Sequence, residues 1–227
     1  MRAHASSFKI TLDIYSRKLY YDYNSILGHV KEETHMARNF TEQEKENIKR
    51  NLQENCKQSW TRYGYKKTSV DELCRQVGIS KGAFYLFYES KEALFCQVLC
   101  SVQEQICHAA SEIMEQYKDR HGAAEAIKYI YREYDKNNFL YQSDSTDYII
   151  LMNKLSEKQA EEIRESNQRS RQLFAGRTYL KFKVDAELAL SVIYSLIMNI
   201  KNKDILPRNH METFDFMVDH LIDSLFE

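Results

Sequence analysis

The stretch Thr68-Ser69-Val70-Asp71-Glu72-Leu73-Cys74-Arg75-Gln76-Val77-Gly78-Ile79-Ser80-Lys81-Gly82-Ala83-Phe84-Tyr85-Leu86-Phe87 carries the densest local signals in the sequence. Thr68 followed three residues later by Asp71 has the form of a capping box, which satisfies the orphan amides of a helix start. Val70, Leu73, Cys74 and Val77 then recur at helical spacing and give a short helix one buried face. Gly78 ends it, since glycine adopts at little cost the left-handed conformation that closes a helix. Ser80 caps a further short helix, Lys81 to Phe87. Short helix, glycine turn, short helix is the pattern of a helix-turn-helix. Its second helix is the one that lies in a DNA major groove, N-terminal residues nearest the base edges.

The flanks agree with this reading. Upstream, Ile48, Leu52, Cys56, Trp60 and Tyr63 form one apolar stripe of an amphipathic helix. Thr41 stands at its N-cap with Glu42 and Glu44 in the first turn, where the helix dipole favours acids, and Gly64 stops it. Downstream, Ser90 caps a fourth helix that opens with Lys91. Between Arg62 and Lys91 the bases Arg62, Lys66, Lys67, Arg75, Lys81 and Lys91 face the acids Asp71, Glu72 and Glu89. That modest local surplus lies where a duplex would approach, and binding through it weakens with salt as counterions are released.

Thr68 to Leu73, Val77 to Tyr85 and Ser90 to Phe95 together resemble the DNA-binding signature of the TetR/AcrR family of transcriptional regulators, in order and in spacing. The resemblance implies an all-α fold: an N-terminal three-helix helix-turn-helix DNA-binding domain, residues 36–90, followed by a C-terminal helical domain for effector binding and dimerisation, residues 91–227. It implies phosphate contacts from Thr68, Ser69, Tyr85 and Lys91, and base contacts from Lys81, Gly82 and Ala83. With Lys67, Ser80 and Leu86 these make the candidate DNA-binding set. Leu86 stands where the family often has His or Asn, and Phe87 where it often has Tyr. Leu86 can still touch a thymine methyl, whereas Phe87 lacks a phosphate-binding hydroxyl. The implied function is a ligand-responsive repressor that binds a palindromic operator as a homodimer and is released by a small-molecule effector. A regulator that activates, or that works through another protein, is the alternative.

Composition bounds the rest. One proline and six glycines in 227 residues leave long helices uninterrupted. A formal net charge of −1 does not suit a protein that coats nucleic acid, but it allows one basic face. Five cysteines, Cys56, Cys74, Cys96, Cys100 and Cys107, form no Cys-x-x-Cys pair and suggest neither zinc nor a disulfide framework. With no apolar run long enough to span a bilayer and no secretory leader pattern, the expected place is the cytoplasm. No phosphate loop, Gly-x-Ser-x-Gly elbow or His-Glu-x-x-His is present, so neither an enzyme nor a cofactor or metal is expected.

Residues 1–35 are crowded with Tyr, Ile, Lys and Asn, and Lys31-Glu32-Glu33 can be encoded by a purine run ahead of Met36. The expectation is a natural start at Met36 with translated upstream DNA before it. The alternative is an N-terminal arm using Arg17 and Lys18 in the minor groove.

The second half reads as helices: Lys91 to Tyr117, Ala123 to Lys136, a polar break from Asn137 to Ser145, and a charged helix from Ser156 to Gly176. Ala189, Ile193, Leu196, Ile197 and Ile200 share one face of a helix that Leu188, Val192 and Met198 make apolar nearly all round. After Pro207, Phe214, Met217, Val218, Leu221, Ile222 and Leu225 repeat at helical spacing. These last two helices are the dimer candidates, through Ile193, Leu196, Ile197, Ile200, Phe214, Met217, Val218, Leu221, Ile222 and Leu225. The competing reading is that they close the monomer core. Tyr129, Tyr131, Tyr134, Tyr141, Tyr148, Tyr179 and Tyr194 can line a site for a flat, apolar or cationic effector or serve as packing, and no effector-binding residue is assigned. Cys96, Cys100 and Cys107 share a helix face, as a thiol switch or as small hydrophobes.

Overall fold

The computed structural model describes residues 40–227, so the expected start at Met36 and the arm alternative lie outside the described residues. Of two compact units, 1–44 and 45–227, the first is described only at residues 40–44. There the Thr41 amide donates to Glu44 Oε2 at 2.9 Å and the Glu44 amide to Thr41 Oγ1 at 3.2 Å, a reciprocal cap as Thr41 predicts.

The described chain is all-α. The first helix, α1 (Glu42–Lys67), buries Leu52, Cys56 and Trp60 as the stripe predicts. Gly64, at φ 81 and ψ 172, breaks it, and one more helical turn follows. The break resets the helical phase. Tyr63, expected in the stripe, is 52% exposed, and Tyr65 takes the buried place at 2%. Helix α2 (Val70–Val77) is capped by Ser69, whose hydroxyl accepts from the Glu72 amide, and not by Thr68. Thr68 is buried because its hydroxyl donates to the Gly64 carbonyl at 2.8 Å and closes the preceding turn. Gly78 ends α2 at φ 75, a left-handed conformation open to glycine. Helix α3 (Lys81–Phe84) is shorter than expected, since residues 85–87 turn away to bring Tyr88 inward.

Helix α4 (Lys91–Tyr117) is the central rod, with Leu94, Phe95, Val98, Leu99, Val102, Ile106, Ala110 and Met114 buried along it. Helix α5 (Arg120–Lys136) returns beside it and starts earlier than expected, because Asp119 caps it. The polar break contains a 3-10 turn, Asn138–Leu140. A short helix that the sequence reading passed over follows, α6 (Thr146–Met152). Then come α7 (Glu157–Arg171), closed at its start by a Ser156/Gln159 capping box, α8 (Ala186–Met198), a 3-10 stretch at Asn199–Ile205, and α9 (His210–Leu225). Among the described residues the one bridge of extended chain joins Phe182 and Phe226.

Register between α5 and α9 is set twice. Phe214 stacks on Tyr131 with centroids 3.6 Å apart. Outside that contact, Arg132, Lys128 and Arg120 meet Asp215, Asp219 and Asp223 at 2.6, 2.6 and 2.7 Å, an antiparallel ladder at four-residue spacing on α9. Across α4 and α7 the contact is polar instead: Ser166 Oγ donates to Gln103 Oε1 at 2.7 Å, and Gln103 Nε2 donates to Asn167 Oδ1 at 2.9 Å.

Of the ten residues assigned to a dimer interface, Ile193, Ile197, Ile200, Phe214, Val218, Ile222 and Leu225 are buried within the single chain, and Leu196, Met217 and Leu221 are half-buried. Helical periodicity reports which face is covered but not by what. Here α5 and the neighbouring turns cover most of it, leaving Leu196, Met217 and Leu221 partly open.

Candidate nucleic-acid interface

The site is built on α2, α3 and the turns that flank them. Phe84, fully buried, and Tyr88, 5% exposed, anchor α3 from beneath. Ser80 Oγ accepts from the Ala83 amide at 3.1 Å and fixes the start of the helix. With those residues directed inward, Lys81 and Gly82 face solvent, Ala83 is half-buried, and Tyr85 and Leu86 stand out at 51% and 69% exposure. Two large side chains held in water at the end of a rigid turn are what a groove-reading surface presents before its partner arrives.

Lys67, Ser69 and Ser80 are also exposed. Lys81 Nζ lies 3.0 Å from Asp71 Oδ2, which raises the lysine's pKa, and both side chains remain open to water. An exposed pair of this kind contributes little and can be exchanged for a phosphate. Arg75 is paired with Glu72 at 2.7 Å within α2. Arg62 lies 5.2 Å from the ring centre of the exposed Tyr63.

Two candidates differ from expectation. Thr68 is buried with its hydroxyl committed to Gly64, so it shapes the turn instead of facing solvent. Lys91 is half-buried: its ammonium donates to the Tyr65 carbonyl at 2.5 Å and lies 4.0 Å from the Tyr65 ring centre. Burial pulls its pKa below the usual lysine range. The Tyr65 hydroxyl pairs with Glu92, and burial with that neighbour pushes the phenol up. Phe87 packs partly against the core, where the missing hydroxyl is replaced by apolar contact.

Elsewhere the tyrosines act mainly as packing. Tyr131 and Tyr141 are buried, Tyr129, Tyr134, Tyr148 and Tyr179 half-buried, and Tyr194 exposed. An open groove of about 570 Å³ runs between Phe87, α4 at Gln97 and Cys100, and α7 at Lys158, Glu162 and Arg169. Cys96 is buried, and its thiol reaches the Gln159 carbonyl at 3.5 Å. Among the described residues no group of three or more His, Cys, Asp or Glu is placed to hold a metal, and no helix is long and apolar enough to cross a membrane.

Comparison with known proteins agrees with this geometry. Residues 57–98 match the model of the bacterial regulatory proteins of the tetR family. The uncharacterized HTH-type transcriptional regulator YhgD of Bacillus subtilis (strain 168) is 33% identical over 57 residues, which are 25% of this chain and 30% of that protein. The match thus spans less than a third of that relative's length. Two solved structures share the fold more widely. The transcriptional regulator FadR from Bacillus subtilis in complex with stearoyl-CoA superposes with a TM-score of 0.59 at 14% identity, covering 77% of this chain and 98% of that one. A putative transcriptional regulator from Saccharomonospora viridis in complex with choline gives 0.63 at 13% identity, covering 80% and 99%. The helix-turn-helix at residues 57–98 is thus similar to that of the bacterial regulatory proteins of the tetR family, and the all-α frame that carries it shares the fold of solved transcriptional regulators.

Proposed function

We propose that this chain is a sequence-specific, ligand-responsive repressor that binds a palindromic operator as a homodimer and acts in the cytoplasm. The observation that carries the reading is α3: anchored by Phe84 and Tyr88, capped by Ser80, and presenting Lys81, Gly82, Tyr85 and Leu86 outward. Lys67 and Ser69 beside it, and Lys91 once released from Tyr65, supply phosphate contacts, while the start of α3 supplies base contacts. Thr68 holds the turn from within.

One such short helix reads too few base pairs for an operator, and a two-fold partner doubles the site. The faces of α8 and α9 turned away from the core suit that partner. They expose Leu188 at 55%, Tyr194 at 57% and Phe216 at 63%, with the half-buried Leu196, Met217 and Leu221 at their margins. The effector belongs to the helical part beyond Lys91. Relatives of this fold were solved with stearoyl-CoA and with choline. An aromatic interior that includes Tyr131, Tyr134 and Tyr148 favours an apolar or cationic small molecule here too. Such a molecule releases DNA only if it binds the DNA-incompetent state more tightly.

Selection from a random duplex library by the full chain tests the reading. One palindromic site is expected, lost in Lys81→Ala and Tyr85→Ala. No selected sequence, with binding equal to those variants, contradicts it.

A further inference from the structure

The turn that resumes at Tyr65 is a new helix start, and the first amides of a helix have no acceptor within it. Their acceptor comes from far along the chain. The Tyr65 amide donates to Asp147 Oδ2, and the Lys66 amide to Asp147 Oδ1 at 2.9 Å. Asp147 lies in the first turn of α6. The approach is close enough that a Cβ on Gly64 would sit 2.7 Å from Asp147 Oδ2, so glycine there serves both the φ of 81° and the carboxylate.

The grip extends beyond one side chain. Asn138 Nδ2 donates to the Thr61 carbonyl at 3.1 Å. Phe139 stacks on Trp60, centroids 4.3 Å apart and planes 12° from parallel. Lys91 takes the Tyr65 carbonyl, and Lys154 Nζ lies 4.0 Å from the Glu92 carboxylate that meets the Tyr65 hydroxyl. Residues 138–147, which take in most of the polar break and the start of α6, therefore hold residues 60–66. Lys67 and Ser69, both exposed, follow directly.

We propose that Asp147 is a positioning residue for DNA reading: its carboxylate caps from α6 the turn that aims Lys67 and Ser69, and so ties the setting of that turn to the effector-binding half. The inference rests on the DNA-reading proposal above. A carboxylate is the fitting group, since it accepts two amides at once and favours the positive end of the helical turn. A shift of α6 moves the cap, and the turn must follow or lose it.

The test pairs two readouts on the full chain: amide hydrogen exchange at Tyr65 and Lys66, and affinity for the selected duplex. Asp147→Ala is expected to speed exchange at both amides about tenfold, the scale of a lost cap, and to weaken duplex binding several-fold (~) with α4 and α5 still protected. Asp147→Asn keeps one acceptor oxygen but turns an NH2 donor toward the other amide, so it should protect one of the two amides and recover duplex binding only in part. Unchanged exchange in Asp147→Ala overturns the cap. Faster exchange with undiminished affinity overturns the positioning role while DNA reading stands. If the wild type selects no duplex, the DNA-reading proposal falls and this role with it, whatever exchange shows. If Asp147→Ala loses protection throughout, Asp147→Glu takes its place, keeping the charge while displacing both oxygens by one methylene, with the same outcomes expected.

Discussion

Gly82 stands in the first turn of α3 without any demand of the fold for it. A Cβ there would meet nothing nearer than Ser80 Oγ at 3.9 Å, and the residue is not among those at positive φ. Glycine in a helix costs about 0.5–1 kcal/mol relative to alanine. On the proposed function, what the bare backbone offers is close approach by a duplex. Gly82→Ala is therefore expected to melt at the same or a higher temperature while binding the selected duplex several-fold (~) more weakly. Wild-type binding by that variant would place the duplex elsewhere. At this scale, what was legible in the sequence is local. Ser80 and Ser90 cap the amides three residues on, and both are visible in a short window. Ser69 displaced Thr68 as the cap because the preceding turn, closed on Gly64, takes the Thr68 hydroxyl. Asp147 leaves no sequence signal, since it meets Tyr65 across 82 positions.

Among the elements, α9 separates two roles in two neighbouring side chains. Phe214 is fully buried against Tyr131, while Phe216 is 63% exposed on the other side of the helix. Measured on the dissociated monomer, Phe214→Ala is expected to cost about 3–5 kcal/mol in denaturant unfolding and Phe216→Ala under about 0.5 kcal/mol. Equal losses would mean that the outer face of α9 is also part of the single chain's core. The long elements were readable because a cap and an unbroken stripe mark them: α4 runs from Lys91 to Tyr117 as its pattern predicts. Helix α6 was not, because its seven residues bury Leu151 alone and give no repeat to recognise. In α1 the stripe failed at Tyr63, one residue before the glycine that resets the phase.

For the molecule as a whole, the class was legible and the assembly was not. The apolar stripes of α8 and α9 showed two covered faces, and α5 proves to be the cover for the α9 stripe through its aromatic stack and ionic ladder. What remains outward, Leu188, Tyr194 and Phe216, suits a second copy. Placing Asp at both Leu188 and Phe216 is expected to shift sedimentation from dimer to folded monomer, with affinity for a palindrome falling at least tenfold, because each half-site then binds alone. A double variant that sediments as the wild type would put the dimer contact on another face.

The most direct test of the central claim, that the surface around α2 and α3 reads DNA, is the salt dependence of binding to the selected duplex. Log affinity against log salt should fall on a straight line for the wild type, less steeply by about one unit in Lys67→Ala. Slopes that coincide, or affinity indifferent to salt, would contradict a duplex seated on this face.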